Sequence, residues 1–262
     1  MHDTTSNPSF SDDRKRHPYL SLRSAGANCS ATGDVEYSTS VSSPLDSPVS
    51  EAGDLRPLQS EAVLRPDLPI ATERLILRTA TPADLDEMHA YKSRPEVCRY
   101  LPYEPMSRDQ VAERLAGPWA RTELTEVDQG LNLSVEDKAT GRLLGDVVLF
   151  WRDAESRSGE IGYVFSPAVA GRGYATEAAR ALLRLGFEQL SLHRITARID
   201  GRNDASARVL GRLGMRREAV HLEDLWFKNE WSDTIVYAML EHEWRSRTTE
   251  LGNSMNLGAG RP

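Results

Sequence analysis

The stretch Gly159-Glu160-Ile161-Gly162-Tyr163-Val164-Phe165-Ser166-Pro167-Ala168-Val169-Ala170-Gly171-Arg172-Gly173-Tyr174-Ala175-Thr176-Glu177 decides the reading of the fold. Residues 160–165 read as a strand, and the middle is a glycine-bearing turn. Apolar or small residues then recur at Ala175, Ala178, Ala179, Leu182, Leu183, Gly186, Phe187 and Leu190. That spacing is one stripe of an amphipathic helix. Strand, turn and helix together aim the N–H groups of residues 171–175 at one spot, where the helix dipole adds positive potential. Gly171 and Gly173 allow a close backbone approach. A phosphate or pyrophosphate is the natural ligand. The Gly-Lys-Ser/Thr of a P-loop is absent, and Thr176 stands where a Rossmann fingerprint needs its third glycine. Taken alone, the fragment fits an ordinary glycine turn before a helix equally well.

Working outward, residues 74–78 form a short strand. Thr81-Pro82-Ala83-Asp84 opens a helix, with Thr as N-cap and Pro at the first position. A second helix begins at Ser107, with Asp109 in its first turn, and Pro118 limits it. Residues 131–135, 143–151 and 160–165 form an antiparallel meander. After the long helix, Ile195, Ala197 and Ile199 alternate with polar residues, which signals a strand. Asn203 opens a further helix with Ser206, Val209, Leu210 and Leu213 on one face. Strands over 216–227 and 234–240 follow, joined by a hairpin loop around Asn229. The order mixes antiparallel runs with helical crossovers, so the class is α+β with a mixed sheet.

The 262 residues include 39% hydrophobic and 27% charged side chains, with a formal net charge of −7. That balance argues against a nucleic-acid binder, which needs clustered Lys and Arg. Cys29 and Cys98 are too few and too far apart for a disulfide framework or a metal site. No N-terminal apolar core signals export, and no run of apolar residues is long enough to span a membrane. The expected location is therefore cytoplasmic, with no nucleic-acid or membrane partner. Residues 1–67, rich in Ser and Pro, read as a disordered extension. Residues 68–245 read as the folded domain and 246–262 as a flexible tail.

Residues 72–244 resemble the GCN5-related N-acetyltransferase (GNAT) superfamily, and within it the ribosomal-protein N-terminal acetyltransferase type. The pattern Arg/Gln-x-x-Gly-x-Gly/Ala falls on Ala170, Gly171, Arg172, Gly173, Tyr174 and Ala175, with Ala170 departing at the first position. Asn203-Asp204-Ala205-Ser206 through Leu213-Gly214-Met215 is similar to the family's second element. Thr72-Glu73-Arg74-Leu75 and Trp231-Ser232-Asp233-Thr234 match in the same order. The resemblance implies the GNAT fold: a mixed, mostly antiparallel central sheet flanked by helices and splayed between strands 4 and 5 (160–165 and 195–199).

It also implies acetyl-CoA as cosubstrate and a primary amine, of a protein N-terminus or a small molecule, as acceptor. The pyrophosphate would sit on residues 170–176, and the pantetheine on Tyr163, Val164, Phe165 and Asn203, with Ser206 beside it. Asn203 is also a preferred N-cap. A backbone N–H such as that of Phe165 would stabilise the oxyanion. Relatives place a Tyr acid seven residues beyond the Asn; Leu210 stands there, and Ser206 is the substitute. Its alternative role is a hydroxyl bonded back to the helix. Glu160 is the candidate base, or else a solvated strand-end carboxylate; Asp146 and Glu104 are second choices. Tyr100, Tyr103, Glu104, Trp226 and Trp231 are candidate acceptor-pocket residues, although aromatic residues near strands also serve as packing. No metal is expected, and His193 and His221 are structural. An aminoglycoside acetyltransferase and a weakly catalytic acyl-CoA sensor are the competing functions, and a monomer or homodimer is the expected state.

Overall fold

The computed structural model describes residues 63–258. Most of the expected N-terminal extension lies outside them. Of its last residues, Leu64 is buried and bridges Leu124 through paired backbone bonds of 2.8 and 3.0 Å, so the ordered chain begins before residue 68.

Eight strands form one sheet: β1 (Ile70–Ala71), β2 (Leu75–Thr79), β3 (Gly130–Asp137), β4 (Leu143–Asp153), β5 (Ser158–Phe165), β6 (Arg194–Asp200), β7 (Arg216–Phe227) and β8 (Glu230–Leu240). Their order is β1-β2-β3-β4-β5-β6-β8-β7. Every neighbouring pair is antiparallel except β5 with β6. A parallel pair needs a crossover, and α4 (Tyr174–Arg184) supplies it. The remaining helices are α1 (Leu85–Lys92), α2 (Pro95–Cys98), α3 (Arg108–Ala116), α5 (Asp204–Leu213) and α6 (Glu241–Gly258). Helix α6 continues through residues expected as a tail. Among the described residues no helix is long and apolar enough to cross a membrane.

Alternation along the strands assigns each face. Leu131, Leu133, Val147, Leu149, Ile161 and Ile195 pack with Leu182, Leu183 and Leu210 of α4 and α5. Each fully buried aliphatic side chain of this kind contributes about 1.5–3 kcal/mol. The opposite face carries a smaller core in which Met88, Tyr91, Val111, Leu115 and Trp119 cover Leu143.

The expected helix starts hold. Asp84 accepts from the Thr81 N–H at 2.8 Å, and Ser107 exchanges bonds with Gln110 at 2.8 and 3.2 Å. Thr81 first caps a single tight turn, Pro82–Asp84, before α1 begins. The stripe over 175–190 is not one uniform helix. From Leu185 to Gln189 the turn widens, with Leu190 N–H bonding Leu185 C=O at 3.0 Å. Gly186 packs so closely on β6 that a Cβ there would lie 2.5 Å from Ile195 Cδ1. Lys228 and Asn229, both at positive φ, make the two-residue hairpin turn expected near Asn229. Strands β1 and the short α2 had no periodic signal.

Under α1 lies a buried ion pair. Lys92 Nζ is 2.7 Å from Asp146 Oδ1, and the Tyr91 hydroxyl donates to the same oxygen at 2.6 Å. The Trp119 ring centroid is 4.6 Å from Nζ. Removing one member strands a buried charge, so Asp146→Ala should lose about 3–5 kcal/mol in urea unfolding. The double variant Lys92→Met/Asp146→Leu should recover only part of that loss, because the buried Tyr91 hydroxyl is left without its acceptor.

A second carboxylate links β2 to the first helix turn. Burial alone would raise the Asp84 pKa, but bonds from the Arg78 guanidinium and the Thr81 N–H hold it below the ordinary 3.8. A depressed folded-state pKa means the contribution is present above 3.8 and is lost as pH falls through the lower folded value. Melting temperatures should therefore fall less steeply on acidification below pH ~4 in Asp84→Asn than in the parent.

Candidate active site

The site begins where β5 and β6 part. Their parallel register is limited to Ser158↔Arg194, Gly159↔Ile195 and Glu160↔Thr196. Beyond Thr196, β6 stays paired with β8 through Asp200, while β5 stays paired with β4 through Phe165. The two strands thus separate into a V. The splay falls between the strands expected from sequence, which are fifth and sixth once β1 is counted.

Backbone direction shows which groups line the V. The Ser166 N–H bonds Leu144 C=O on the β4 side at 2.9 Å. Strand alternation then turns the N–H and C=O of Phe165 and Tyr163 toward the open edge, and those of Val164 toward β4. Among the described residues, the Tyr163 and Phe165 backbone groups have no ladder partner on that edge. The expectation for Val164 is corrected here: its backbone groups serve the β4 ladder, and its side chain packs on the α1–α3 face.

The Tyr163 side chain crosses to the other arm of the V, where its hydroxyl donates to Ser206 C=O at 3.3 Å. Burial pushes its phenol up to about 12, so it carries its proton near neutral pH. This link between β5 and α5 was not anticipated from sequence, because it joins residues 43 apart without a periodic pattern.

At the mouth of the V stands the turn before α4. Gly171 and Gly173 adopt φ of +75° and +82°, which non-glycine residues rarely accept. A Cβ on Gly171 would meet nothing within 4 Å, so the turn is open on that side. Ala170 N–H is used within the preceding turn, bonding Pro167 C=O at 3.1 Å. The first helical bond runs from Glu177 N–H to Gly173 C=O at 3.1 Å. The N–H groups of Tyr174, Ala175 and Thr176 are therefore left over at the helix start. Thr176 accepts from Arg212 Nε at 3.4 Å. Arg208 lies one turn before Arg212 on the same face of α5. Neither Arg172 nor Arg208 has a carboxylate partner among the described residues, so the turn sits in positive potential.

Asn203 caps α5. Its Oδ1 accepts from Ser206 N–H at 3.1 Å, while Nδ2 has no protein partner among the described residues. The same holds for the Ser206 hydroxyl, so the expected back-bond to the helix is not formed. Glu160, at the vertex of the V, is not a solvated strand end: its side chain is 13% exposed and Oε2 accepts from Arg152 Nε at 3.2 Å. Its Oε1 has no protein partner among the described residues. Asp146 is excluded as a base by its buried pairing with Lys92.

The acceptor residues are only partly grouped. Lys228, at the β7–β8 hairpin tip, donates to Cys98 C=O at 2.5 Å and lies 3.9 Å from Glu104. Arg202 joins Glu230 at 2.6 Å and stands 5.8 Å from the Tyr100 ring. Tyr100, Glu104 and the hairpin therefore share one rim. Tyr103 instead packs into the smaller core, where burial raises its pKa well above 10.0. Trp226 pairs with Trp231, ring centroids 5.3 Å apart, on the ribbon face that carries Ile235 and Tyr237. That face is opposite the smaller core, and Trp226 is 57% exposed. The two-residue turn pairs Trp226 with Trp231, and the alternation of β8 puts that pair on the face of Ile235 and Tyr237; which sheet face this is depends on how β8 packs, a tertiary fact. Among the described residues no cluster of His, Cys, Asp or Glu could hold a metal.

The sheet is thus mixed and splayed, with an open helix N-terminus at the mouth of the splay, and comparison with known proteins gives the class. The family model described as an acetyltransferase (GNAT) domain matches residues 74–216. The chain is 34% identical over 175 residues to the uncharacterized N-acetyltransferase YnaD of Bacillus subtilis, covering 67% of this chain and 98% of that one. It is 30% identical over 172 residues to YoaA of the same organism, also an uncharacterized N-acetyltransferase, covering 66% and 96%. The crystal structure of a GNAT-family acetyltransferase from Bacillus anthracis superposes with a TM-score of 0.61 at 32% identity, covering 67% of this chain and all of that one. The chain belongs to the GNAT family of acetyltransferases.

The Arg152 contact gives one direct check. Arg152→Ala should leave the mostly buried Glu160 without its cationic partner and lower stability by about 1.5–3 kcal/mol, the scale of a hydrogen bond to a charged group. Urea unfolding measures this.

Proposed function

We propose that the protein transfers an acetyl group from acetyl-CoA to a primary amine, of a protein N-terminus or a small molecule, by direct attack. The observation that carries this reading is the pair of free backbone edges at Tyr163 and Phe165, aligned with the open turn before α4. An extended amide-bearing arm would add to that edge as a strand does. The turn at 171–176, with Arg172, Arg208 and Arg212 nearby, suits the polyanionic end of the same molecule. The Asn203 Nδ2 is available to an amide carbonyl of the arm.

The residues divide the chemistry. Glu160 Oε1 takes a proton from the amine, directly or through water, as nitrogen bonds to the thioester carbon. The Phe165 N–H donates to the carbonyl oxygen as charge develops there. The carbon–sulfur bond breaks and CoA leaves as a thiolate, which accepts a hydrogen bond from the Ser206 hydroxyl and then takes its proton from solvent, while Glu160 releases the amine proton to solvent. No full proton transfer from Ser206 is needed, because a thiol has a pKa of ~8.5 and the thiolate is a competent leaving group. Tyr100 and Glu104 would meet the acceptor at the rim. The Thr72–Arg78 motif supports the ribosomal-protein N-terminal acetyltransferase type. A spermidine N(1)-acetyltransferase of Escherichia coli is 22% identical over 99 residues, about half its length, so polyamines belong among the acceptors tested.

Thiol release from acetyl-CoA against N-terminal peptides, aminoglycosides and spermidine tests the reading. Release should depend on an acceptor and disappear in Gly171→Trp. Glu160→Gln should lower kcat by about 10²-fold or more with little change in the KM for acetyl-CoA, and Ser206→Ala by less. CoA binding without release for any amine would favour the sensor reading instead.

A further inference from the structure

The turn that faces the V also has an outer side, and one side chain dominates it. Glu177, in the first turn of α4, accepts from Thr72 Oγ1 at 2.6 Å, from the Arg74 N–H at 2.8 Å and from Arg74 Nε at 2.7 Å. The same guanidinium donates through Nη1 to Arg172 C=O at 3.0 Å. It also lies over the Tyr174 ring, 4.5 Å from the centroid. A Cβ on Gly173 would come 3.5 Å from Arg74 Nη2. One planar fork thus touches residues 172, 174 and 177 from the position just before β2. Tyr174 adds a bond to Asp137 Oδ2 at 3.3 Å.

Charge gives the arrangement a purpose. A carboxylate in the first turn of a helix opposes any anion bound at that N-terminus. Glu177 is such a carboxylate. Burial alone would raise its pKa, but the bonds from Thr72 and Arg74 hold it below 4.5, so it is charged near neutral pH. Arg74 neutralises it at 2.7 Å while fixing the carbonyl of Arg172 away from the ligand side. Arginine's rigid fork can do both at once, whereas a lysine cannot.

We propose that Arg74 is a positioning residue for the acyl donor: paired with Glu177 and the Arg172 carbonyl, it holds the turn at 171–175 in its anion-accepting form and cancels the opposing charge. This rests on the reading of that turn as the diphosphate site, and it assigns donor affinity to a residue that does not touch the donor.

The test is calorimetric titration of CoA together with acetyl-CoA kinetics on the full chain, with melting temperatures recorded in parallel. Arg74→Ala should weaken CoA binding and raise the acetyl-CoA KM by about tenfold, the upper scale of one uncompensated charge in the first turn of a helix, with kcat changed little. Arg74→Lys should not restore affinity. Glu177→Gln placed in the Arg74→Ala background should recover part of the affinity beyond what its melting temperature recovers, because the uncompensated charge is gone; in a purely structural role affinity and melting temperature would recover together. If Arg74→Ala does not fold, Arg74→Lys carries the same comparison. Wild-type-like CoA affinity in the Arg74 variants overturns this inference alone. Failure of the parent protein to bind CoA overturns it together with the reading of the turn.

Discussion

The parallel pairing of β5 with β6 stops at Glu160 and Thr196, and the rest of the site depends on that early stop. Each strand is committed elsewhere: β5 to β4 along its whole length, and β6 to β8 through seven consecutive pairs. With both outer ladders complete, the gap between them cannot close by sliding one strand without breaking backbone bonds on its far side. The cost is an unpaired strand edge inside the sheet. Such an edge is a liability when exposed, and a docking line when a linear substrate carries matching amide groups. Tyr163 spans the gap on the α5 side and holds the two arms at a fixed separation.

Two helix N-termini meet the V from the same side of the sheet. The start of α4 presents leftover N–H groups at the mouth, and Asn203 sets the start of α5 along one arm. Both helices follow the parallel strands, so the topology that makes the V also delivers their N-termini to it. The smaller core on the opposite face, with its buried Lys92–Asp146 pair, supports the rim built by Tyr100, Glu104 and the hairpin tip. On the proposed reading, donor and acceptor elements occupy the two faces of the sheet and meet only at the opening.

Much of this was legible in the sequence because it is local. The stripe from Ala175 onward, the alternation in 131–165, the caps at Thr81, Ser107 and Asn203, and the paired glycines at 171 and 173 all follow from spacing and backbone preference. What was not legible depends on partners distant in the chain. The Arg74–Glu177 contact joins residues 103 apart, and neither residue carries a pattern that names the other. The orientation of Val164 depends on which edge pairs with β4. Glu160 reads as a free carboxylate until Arg152 is brought beside it, and Asp146 reads as a possible base until Lys92 is. Trp226 reads as a pocket residue until its cross-strand pairing with Trp231 and the packing of β8 put it on the face opposite the smaller core. The widened turn at Leu185–Gln189 coincides with the close approach of Gly186 to Ile195 of β6, a tertiary contact that spacing does not encode.

The central claim is that the open edge of β5 is where a linear acyl donor adds as a strand. Amide hydrogen exchange on the full chain, with and without saturating CoA, tests it most directly. The account predicts that the amides of Tyr163 and Phe165, together with those of residues 171–176, become protected on CoA addition, while Val164, already bonded to β4, changes little. Protection confined to other parts of the chain, with Tyr163 and Phe165 exchanging as before, would contradict it.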